Sequence, residues 1–532
     1  MSTTYDADVI VVGSGVLGSV AAHSLVTAGK SVIILEAGPR VPRWKIVENY
    51  RNRPDKLDYN APYPDQPWAP KSAGGPYADD YLQNVGPFVL KPGMLRLVGG
   101  TTWHYAGAAW RYIPNDFKIK TLYGVGRDWP IDYDDLEPWY QLAEEAMGVS
   151  GSDTDDQSGQ GGDAFPPRSK PYPMPMRPWT HYTTRLSETF TAAGHNFIDE
   201  PNSTNSQPYD GRPACSGNNN CMPICPIGAL YSGEVHAYKA ERAGAKLLEN
   251  SVAWKLEKGA GGKIVAVHYK SPEGKSTRIT AKYFIVAAHG IETPKLLLMS
   301  EVANSSDQVG RNLMDHTGIA LNMLTKEALW PGQGPVQQGG IFDRRDGEHR
   351  RHYAAIKHSP RNGIANQLVT EPLLKEGLMG SELDRRIRHD AARFVEISTT
   401  FEILPLPQNR VTLSPKKDAI GLPKPQIHYE LDDYFRTAVD VAKQDYKRFV
   451  NLFDARLLDD DSGPQNRDHL MGTVIMGSDP ADSVVDGDCR THDHPNLFLA
   501  TTGVIPASGV INPTLTGAAL ALRAADIIRR EI

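Results

Sequence analysis

Cysteine is scarce in this chain, and four thiols in 532 residues are too few to frame a disulfide-rich fold. Long apolar runs are lacking as well. The most apolar window, residues 9–26, is interrupted by glycine, serine and histidine, so we expect neither a membrane-spanning helix nor a secretory signal peptide there. A basic excess is also missing, because 57 Lys and Arg stand against 63 Asp and Glu, a net charge of −6. Nucleic acid and anionic membranes are therefore poor partners.

The chain is long and rich in the turn-forming residues glycine and proline. At 532 residues it is several typical domains long, with 48 Gly and 40 Pro, and its hydrophobic content of 40% argues against disorder. Residues 44–84 lose all periodicity, which predicts a functional loop or lid without elements of its own. Residues 151–178, rich in Asp, Gly and Pro, are predicted to be a solvated linker or excursion.

The chain opens with a predicted βαβ unit. Residues 8–12 and 31–35 are short apolar, β-branched runs typical of buried strands, and residues 19–28 between them favour a helix. Such a unit is the usual start of a doubly wound α/β domain.

A dinucleotide fingerprint, G-x-G-x-x-G, lies between the first strand and the helix and consists of Gly13, Gly15 and Gly18. The first glycine permits a tight turn, and the second lets the backbone approach a pyrophosphate at the positive end of the helix. Glu36, at the end of the second strand, can accept a hydrogen bond from a ribose hydroxyl. The pattern predicts a dinucleotide site without choosing between FAD and NAD.

Three cysteines, Cys215, Cys221 and Cys225, fall within one short loop, residues 215–226, that is rich in Gly and Asn and ends on proline. In a chain made in a reducing cytosol, such spacing suggests a metal site before a disulfide. Gly and Asn let the backbone turn around an inorganic core, and three thiolates suit a [3Fe-4S] cluster. A structural zinc completed by a remote residue and unligated thiols are the alternatives. No C-x-x-C-H occurs, so we expect no c-type haem on this chain.

Five further motifs follow one another along the chain, at residues 99–104, 290–297, 309–316, 469–477 and 512–514. In this order they resemble the glucose-methanol-choline (GMC) flavoprotein oxidoreductases from end to end of the chain. His289, where that family usually has a small residue, is a departure that we interpret as subfamily variation. The resemblance implies FAD as the cofactor and an alcohol as the substrate.

The resemblance also assigns roles at the flavin. His469 is implied as the base that removes the hydroxyl proton, and Asn512 as the amide that holds the substrate oxygen. Asp468, where the resembled sugar dehydrogenases have Asn, could accept hydrogen bonds from sugar hydroxyls and would repel sugar acids. This carboxylate favours neutral sugars and glycosides over gluconate, and ring hydroxyls such as C3 over the anomeric carbon of glucose.

Further FAD contacts are implied at Gly99, Gly100 and Thr101, and Thr514 would present a backbone N–H to the pyrimidine edge of the flavin. His104 has two interpretations, a covalent bond to the flavin methyl group, as in some members of the family, or packing near the ring.

The cysteine loop is similar to that of the cluster-bearing sugar dehydrogenases of bacteria in this family. Those usually have a further Cys where this chain has Ser216, which indicates that the extra thiol is not a ligand. The fold implied is α/β, with a Rossmann-like FAD-binding domain and a discontinuous substrate-binding domain. We expect the FAD domain at 1–118, 212–318 and 470–532, and the substrate domain at 119–211 and 319–469.

The expected function is oxidation of a sugar or glycoside hydroxyl, at C1 of glucose or C3 of a glucoside, with electrons relayed through [3Fe-4S] to an external acceptor such as a cytochrome. A polyol, fructose or sugar-acid dehydrogenase of the same mechanism is the alternative, and so is an electron-transfer flavoprotein subunit without an alcohol site. The resemblance further implies a small chaperone-like subunit carrying an export signal. The complex would then be periplasmic or membrane-associated, with a cytoplasmic enzyme as the other possibility.

Overall fold

The computed structural model describes residues 5–54, 56, 58–460 and 463–532. The strands, in chain order, are β1 (Ala7–Val12), β2 (Val32–Leu35), β3 (Gln83–Asn84), β4 (Ser150–Gly151), β5 (Met174–Pro175), β6 (Phe197–Asp199), β7 (Lys246–Leu248), β8 (Val252–Lys258), β9 (Ile264–Lys270), β10 (Ser276–Val286), β11 (Gly318–Leu324), β12 (Gly339–Arg344), β13 (Ile356–Arg361), β14 (Phe394–Phe401), β15 (Arg410–Lys417), β16 (Pro423–His428), β17 (Arg456–Asp459) and β18 (Leu497–Leu499). The helices are α1 (Val16–Thr27), α2 (Arg43–Asn52), α3 (Ile119–Tyr123), α4 (Tyr133–Met147), α5 (His181–Ala192), α6 (Glu234–Arg242), α7 (His289–Ser300), α8 (Asn366–Lys375), α9 (Gly380–Ala391), α10 (Asp433–Leu452) and α11 (Thr514–Glu531).

The first sheet confirms the predicted βαβ unit. Its strand order is β7-β2-β1-β10-β9-β8, with β18 beside β10, and β1 pairs in parallel with both β2 and β10. The β-branched run of β1 is almost completely buried, as expected for a central parallel strand. Helix α1 packs against α6 and α11, and its small residues Ala21 and Ala22 are fully buried there. The short side chains let the helices approach closely.

The second sheet is antiparallel, in the order β17-β11-β14-β13-β12-β6. Helix α10 lies over β11 and β14 and buries an apolar stripe that includes Phe435, Tyr446 and Phe449. Strands β13 and β14 pair with Lys357 opposite Thr400 and Ser359 opposite Ser398. Since side chains alternate between the two faces of a strand, these polar residues share one face of the sheet.

Two predictions about loops are wrong. Residues 44–84 contain nearly all of α2 and all of β3, and the helix escaped notice because it buries just one apolar residue, Ile46. Without a wider apolar stripe, a helix leaves little periodicity in its sequence. Residues 151–178 are not a solvated linker, because Asp156, Tyr172 and Met174 are buried and β5 pairs with β4.

The strands of the first sheet come from residues 7–35, 246–286 and 497–499, and those of the second from 197–199 and 318–459. The strands of the first sheet lie in the expected FAD domain, and those of the second sheet, apart from Gly318 at the start of β11, lie in the expected substrate domain. The domain boundaries themselves stay a prediction. In the part of the chain that the structure describes, no helix is both long and apolar enough to cross a membrane.

Candidate active site

A cavity of about 490 Å³ lies between the carboxyl ends of β1 and β2 and the polar face of the second sheet. Most of the site residues expected from the sequence line it: Gly13, Gly15, Glu36, Gly100, Thr101, His104, Asp468, His469, Asn512 and Thr514. Gly18 and Gly99 do not line it; Gly18 packs closely against Gly13, and Gly99 packs against Trp103 and Glu234. The structure thus brings together residues that are up to 501 positions apart in the chain.

The three fingerprint glycines have different physical roles. Gly13 has φ +103°, and a Cβ on it would lie 2.5 Å from the carbonyl oxygen of Ala287 on the neighbouring strand end. A Cβ on Gly18 would lie 2.1 Å from the carbonyl oxygen of Gly13. Gly15, at the start of α1, has open space on its Cβ side, with no atom within 4 Å among the described residues. That space is where the backbone can approach a pyrophosphate, so the site fits the diphosphate of FAD.

The Glu36 carboxylate is fixed at the end of the cavity where the sequence predicts a ribose. Its Oε2 accepts hydrogen bonds from the backbone N–H and the hydroxyl of Ser14, at 3.0 and 2.6 Å, and its Oε1 accepts from the N–H of Gly38 at 3.0 Å. Burial raises the pKa of Glu36, and these hydrogen bonds oppose the rise because they favour the charged form. Ser14 was not singled out from the sequence, although it lies inside the fingerprint.

Gly99 and Gly100 turn the chain into a single helical turn, Gly100–Trp103, at φ values of +98° and +63°. A Cβ on Gly100 would lie 2.9 Å from the Cα of Gly15, so the two glycine segments pack directly on each other. Thr101 accepts a hydrogen bond from the Leu95 N–H through its hydroxyl, at 3.1 Å.

The His104 ring is buried, and its Nε2 lies 2.7 Å from the carbonyl oxygen of Gly93, to which it donates. Burial lowers the pKa of His104 to about 4, so the ring is neutral. Its Nδ1 has no hydrogen bond to another described residue, and a covalent bond between His104 and a flavin stays a prediction.

Helix α11 begins at the cavity with Thr514, directly after Pro513. An α-helix carries a partial positive charge at its N-terminus, and the first N–H groups of the helix have no partner inside it. This end of the helix is therefore suited to the pyrimidine edge of a flavin, where negative charge gathers on reduction.

His469 and Asn512, the expected catalytic pair, are in contact. Asn512 Nδ2 lies 2.8 Å from His469 Nε2, and Lys357 Nζ donates to Asn512 Oδ1 at 3.0 Å. The other ring nitrogen, His469 Nδ1, lies 3.0 Å from Nδ1 of His316. Burial lowers the pKa of His469 well below its usual value, and the nearby His316, Lys357 and Arg467 lower it further. The ring is therefore a neutral imidazole that can accept a proton.

Asp315 fixes the main chain of His469. Its Oδ1 accepts the N–H of His469 at 2.7 Å, and its Oδ2 accepts the N–H of Arg467 at 3.1 Å. Asp468 between them has φ +63°, which lets consecutive N–H groups converge on one carboxylate. Burial raises the pKa of Asp315 to about 7, and the charge of Asp468 adds to the rise. The sequence signal was present, since Asp315 and His316 end the motif at 309–316, but neither received a role.

Asp468 itself lines the cavity on the side of His104. Its Oδ1 accepts a hydrogen bond from the side chain of Asn466 at 2.6 Å, and a backbone N–H bond from Gly93 also reaches the carboxylate. A Cβ on Gly93 would lie 3.1 Å from Asp468 Oδ2 and 2.9 Å from the ring of His104. The carboxylate is thus engaged by two hydrogen bonds within the protein, and contact between Asp468 and a substrate stays a prediction.

The three loop cysteines lie in one small cluster with Ala229 and Leu230. The N–H of Gly217 donates to Cys215 Sγ at 3.4 Å, and the Val336 backbone donates to Cys221. Burial raises the pKa of Cys221 to about 11, so its free form is the thiol. Within residues 5–54, 56, 58–460 and 463–532, however, no group of three His, Cys, Asp or Glu side chains is arranged to hold a metal ion. The donor chemistry fits an iron-sulfur cluster, and the thiols would have to turn towards one another to bind it.

The loop borders the cavity through its central residue. Met222, next to Cys221, lines the cavity, and its Sδ lies 3.6 Å from Nη2 of Arg361 on the second sheet. Ser216 is exposed, and Cys489 is buried in the main core.

Comparison with known proteins agrees with this geometry. The chain matches the GMC oxidoreductase family over residues 7–318 in its N-terminal part and 405–521 in its C-terminal part. It is 44% identical to the fructose dehydrogenase large subunit of Gluconobacter japonicus, over 99% of both chains. It is 30% identical to the 2-methyl-1,2-propanediol dehydrogenase of Mycolicibacterium austroafricanum, over 100% of this chain and 97% of that protein. Among solved structures, a formate oxidase from Aspergillus oryzae RIB40 superposes with a TM-score of 0.67 at 16% identity, covering 99% of both chains.

The fold and the site define an FAD-dependent oxidoreductase that acts on CH–OH groups. The chain belongs to the GMC oxidoreductase family. The family resemblance inferred from the ordered motifs is confirmed, and so is the choice of FAD over NAD.

Substituting Gly15→Val is expected to give folded but colourless protein. The valine side chain has room in the protein without FAD but would fill the space that a pyrophosphate needs. Wild type, in contrast, should purify with a flavin absorption band. Absorbance measures the cofactor, and circular dichroism measures the fold. Gly162→Val is a matched control, because Gly162 is exposed and also has open space around its Cβ. Yellow Gly15→Val protein would contradict this assignment.

Substituting His469→Ala is expected to lower turnover by on the order of 10² or more while FAD stays bound, because a general base is lost. Turnover with a dye acceptor and flavin content per chain are the two measurements. The exposed His352, replaced in the same way, provides the control and should keep wild-type turnover. Nearly unchanged turnover in His469→Ala would mean that another group accepts the proton.

Proposed function

We propose that the chain is the catalytic subunit of a dehydrogenase that oxidises a hydroxyl group of a neutral sugar, with fructose the first candidate. The 44% identity to a fructose dehydrogenase large subunit over the whole chain supports the substrate class. The observation that carries the proposal is the wall of the cavity opposite the cofactor half, which is polar and rich in hydroxyl groups.

That wall is built from alternate residues of β13 and β14. Lys357, Ser359, Ser398 and Thr400 all line the cavity and are paired across the two strands. Ser359 is 3% exposed, and its hydroxyl has no hydrogen-bond partner among the residues described. A buried hydroxyl without a partner costs about 1–3 kcal/mol, and a hydroxyl of a bound sugar would recover this cost once the Ser359 side chain turns towards the cavity.

The chemistry follows from the pair at the end of this wall. A substrate hydroxyl that replaces the Asn512 amide as the donor to His469 Nε2 can pass its proton to the neutral ring, and Asn512 Nδ2 can then donate to the substrate oxygen instead. FAD, when bound, supplies the acceptor for the hydride that leaves the carbinol carbon. The glycine segments and Glu36 would hold it, and the N-terminus of α11 would favour its reduced charge.

A carboxylate at Asp468 would disfavour a sugar acid bound beside it. The Asp468 carboxylate lies on the side of His104, and the cations of Lys357 and Arg361 lie on the sheet. Groups of both signs can bond to hydroxyls, whereas a sugar acid would meet Asp468 unfavourably. A polyol or sugar-acid dehydrogenase remains the alternative that the substrate test distinguishes.

With a dye acceptor, fructose is expected to be the best substrate in a panel that includes glucose, methyl glucoside and gluconate. Gluconate should be at least about tenfold poorer in kcat/KM, which corresponds to about 1.4 kcal/mol. NMR of the product identifies the carbon oxidised. Turnover of methyl glucoside would exclude a strict anomeric enzyme, and absence of turnover with all the sugars would contradict the proposal.

A variant within the wall sharpens this test. Substituting Ser359→Ala should lower kcat/KM for the sugar by about fivefold, the effect of one lost hydrogen bond, without lowering Tm, because the hydroxyl has no partner to lose within the described protein. Ser398→Ala, on the opposite strand, is a second variant of the same wall, and the sum of the two effects reports whether both hydroxyls face the substrate.

We also propose that Cys215, Cys221 and Cys225 bind a [3Fe-4S] cluster. The shared position of the thiols in one cluster, the backbone donors to their sulfurs and the position of Met222 on the cavity wall support it. Such a cluster exchanges electrons one at a time, which suits delivery to a cytochrome.

Substituting Cys221→Ser is expected to keep FAD and substrate-driven bleaching of the flavin but to lose electron delivery to a cytochrome. Oxidised wild type should show the EPR signal of an S = 1/2 [3Fe-4S] centre, and the variant should lack it. Ser216→Ala, in the same loop but at an exposed residue, should leave iron content unchanged. Iron-free wild type that reduces a cytochrome at full rate would contradict the relay. Zinc in place of iron would mean that the loop is a structural zinc site.

We further propose a small partner subunit that carries the export signal, with a periplasmic or membrane-associated complex. The name of the 44% identical relative, a large subunit, supports the existence of a smaller one. Fractionation of cells that express the chain alone or with a neighbouring small-subunit gene tests this, and cytoplasmic retention in both would favour the cytoplasmic alternative.

A further inference from the structure

We propose that His316 and Lys357 are positioning residues that fix the tautomer of His469, so that the unprotonated Nε2 faces the cavity. This inference rests on the proposed role of His469 as the base. It assigns functions to two residues that no sequence motif had marked as catalytic.

The hydrogen-bond direction is set at one end by Lys357. An ammonium group can donate but cannot accept, so the Asn512 atom facing it at 3.0 Å must be the carbonyl oxygen. The amide nitrogen of Asn512 then faces His469 Nε2 at 2.8 Å, and this N–H needs an acceptor. His469 Nε2 must therefore be unprotonated, and the proton of the neutral ring lies on Nδ1.

The direction is set independently at the other end by two backbone carbonyls. His316 Nε2 lies 3.2 Å from the carbonyl oxygen of Ser508 and 2.9 Å from that of Gly509. Carbonyl oxygens accept only, so the proton of the His316 ring is on Nε2 and its Nδ1 is an acceptor. This Nδ1 faces His469 Nδ1 at 3.0 Å, which places the His469 proton on Nδ1 once more.

The groups at both ends of this hydrogen-bond series keep these protonation states at neutral pH. Burial lowers the pKa of His316 to about 4, so that ring carries one proton. Burial lowers the pKa of Lys357 to about 8, with Glu200 opposing the fall, so the amine is mostly an ammonium ion. The hydrogen bonds therefore all run in one direction. Lys357 donates to Asn512, Asn512 to His469, His469 to His316, and His316 to the two backbone carbonyls.

The other tautomer of His469 is disfavoured at both of its nitrogens. A proton on Nε2 would face the N–H of Asn512, and an unprotonated Nδ1 would face the unprotonated Nδ1 of His316. Each mismatch leaves a buried polar group without a hydrogen bond, at about 1–3 kcal/mol apiece. His316 thus keeps the base ready without touching the substrate.

Nitrogen NMR of the FAD-loaded protein with ¹⁵N-labelled histidine measures the tautomer directly, before any substrate is added. Wild type should show a neutral ring protonated on Nδ1 whose signal disappears in His469→Ala. A His469 ring protonated on Nε2 in wild type would overturn the inference, whatever the substrate proves to be. The same measurement leaves the proposed function untouched, so the two can fail separately.

Variants of His316 test its role. His316→Leu removes the acceptor and should shift the His469 proton to Nε2, with kcat lower by on the order of 10² and the substrate Kd nearly unchanged. His316→Asn places an amide oxygen near the position of Nδ1 and should restore the Nδ1–H signal and kcat to within about tenfold of wild type. The exposed His352→Leu is the control. Loss of kcat in His316→Asn equal to that in His316→Leu, with the His469 signal unchanged in both, would mean that His316 has a structural role alone.

Discussion

The buried carboxylate of Asp315 is the constraint on which the rest of the active site depends. A carboxyl group taken out of water is costly unless hydrogen bonds satisfy it, and here the backbone N–H groups of Arg467 and His469 do so. The bonds tie the segment before β11 to the segment that carries His469. Because the left-handed turn at Asp468 is needed to bring those N–H groups together, the carboxylate also sets the direction in which the His469 side chain leaves the backbone.

Each half of the cavity solves a different physical problem. The first sheet offers backbone: a strand end, open space at Gly15 and two helix N-termini, all suited to a diphosphate and a flavin. The second sheet offers side chains, because an antiparallel strand pair presents alternate residues on one face. The backbone of the first sheet thus suits the cofactor, while the proposed substrate contacts lie on a few side chains of β13 and β14.

Much of this could be predicted from sequence, for identifiable reasons. The βαβ unit was readable because a buried parallel strand and the glycine fingerprint leave strong local patterns, and His469 and Asn512 were found through ordered motifs. Helix α2 was missed because it buries little. Lys357 and Ser359 were missed because they look like ordinary strand alternation, and their meaning comes from which sheet face meets the cavity. His316 was in a quoted motif, but its partner lies 153 residues away, a contact that no local pattern encodes.

The most direct test of this account is a structure of the FAD-loaded, reduced protein with a bound sugar. The account predicts that the hydroxyl oxygen to be oxidised lies within hydrogen-bond distance of both His469 Nε2 and Asn512 Nδ2, with other sugar hydroxyls on Ser359 and its neighbours. A sugar whose reacting oxygen is held by Asp468 or another group, away from His469 Nε2, would contradict it.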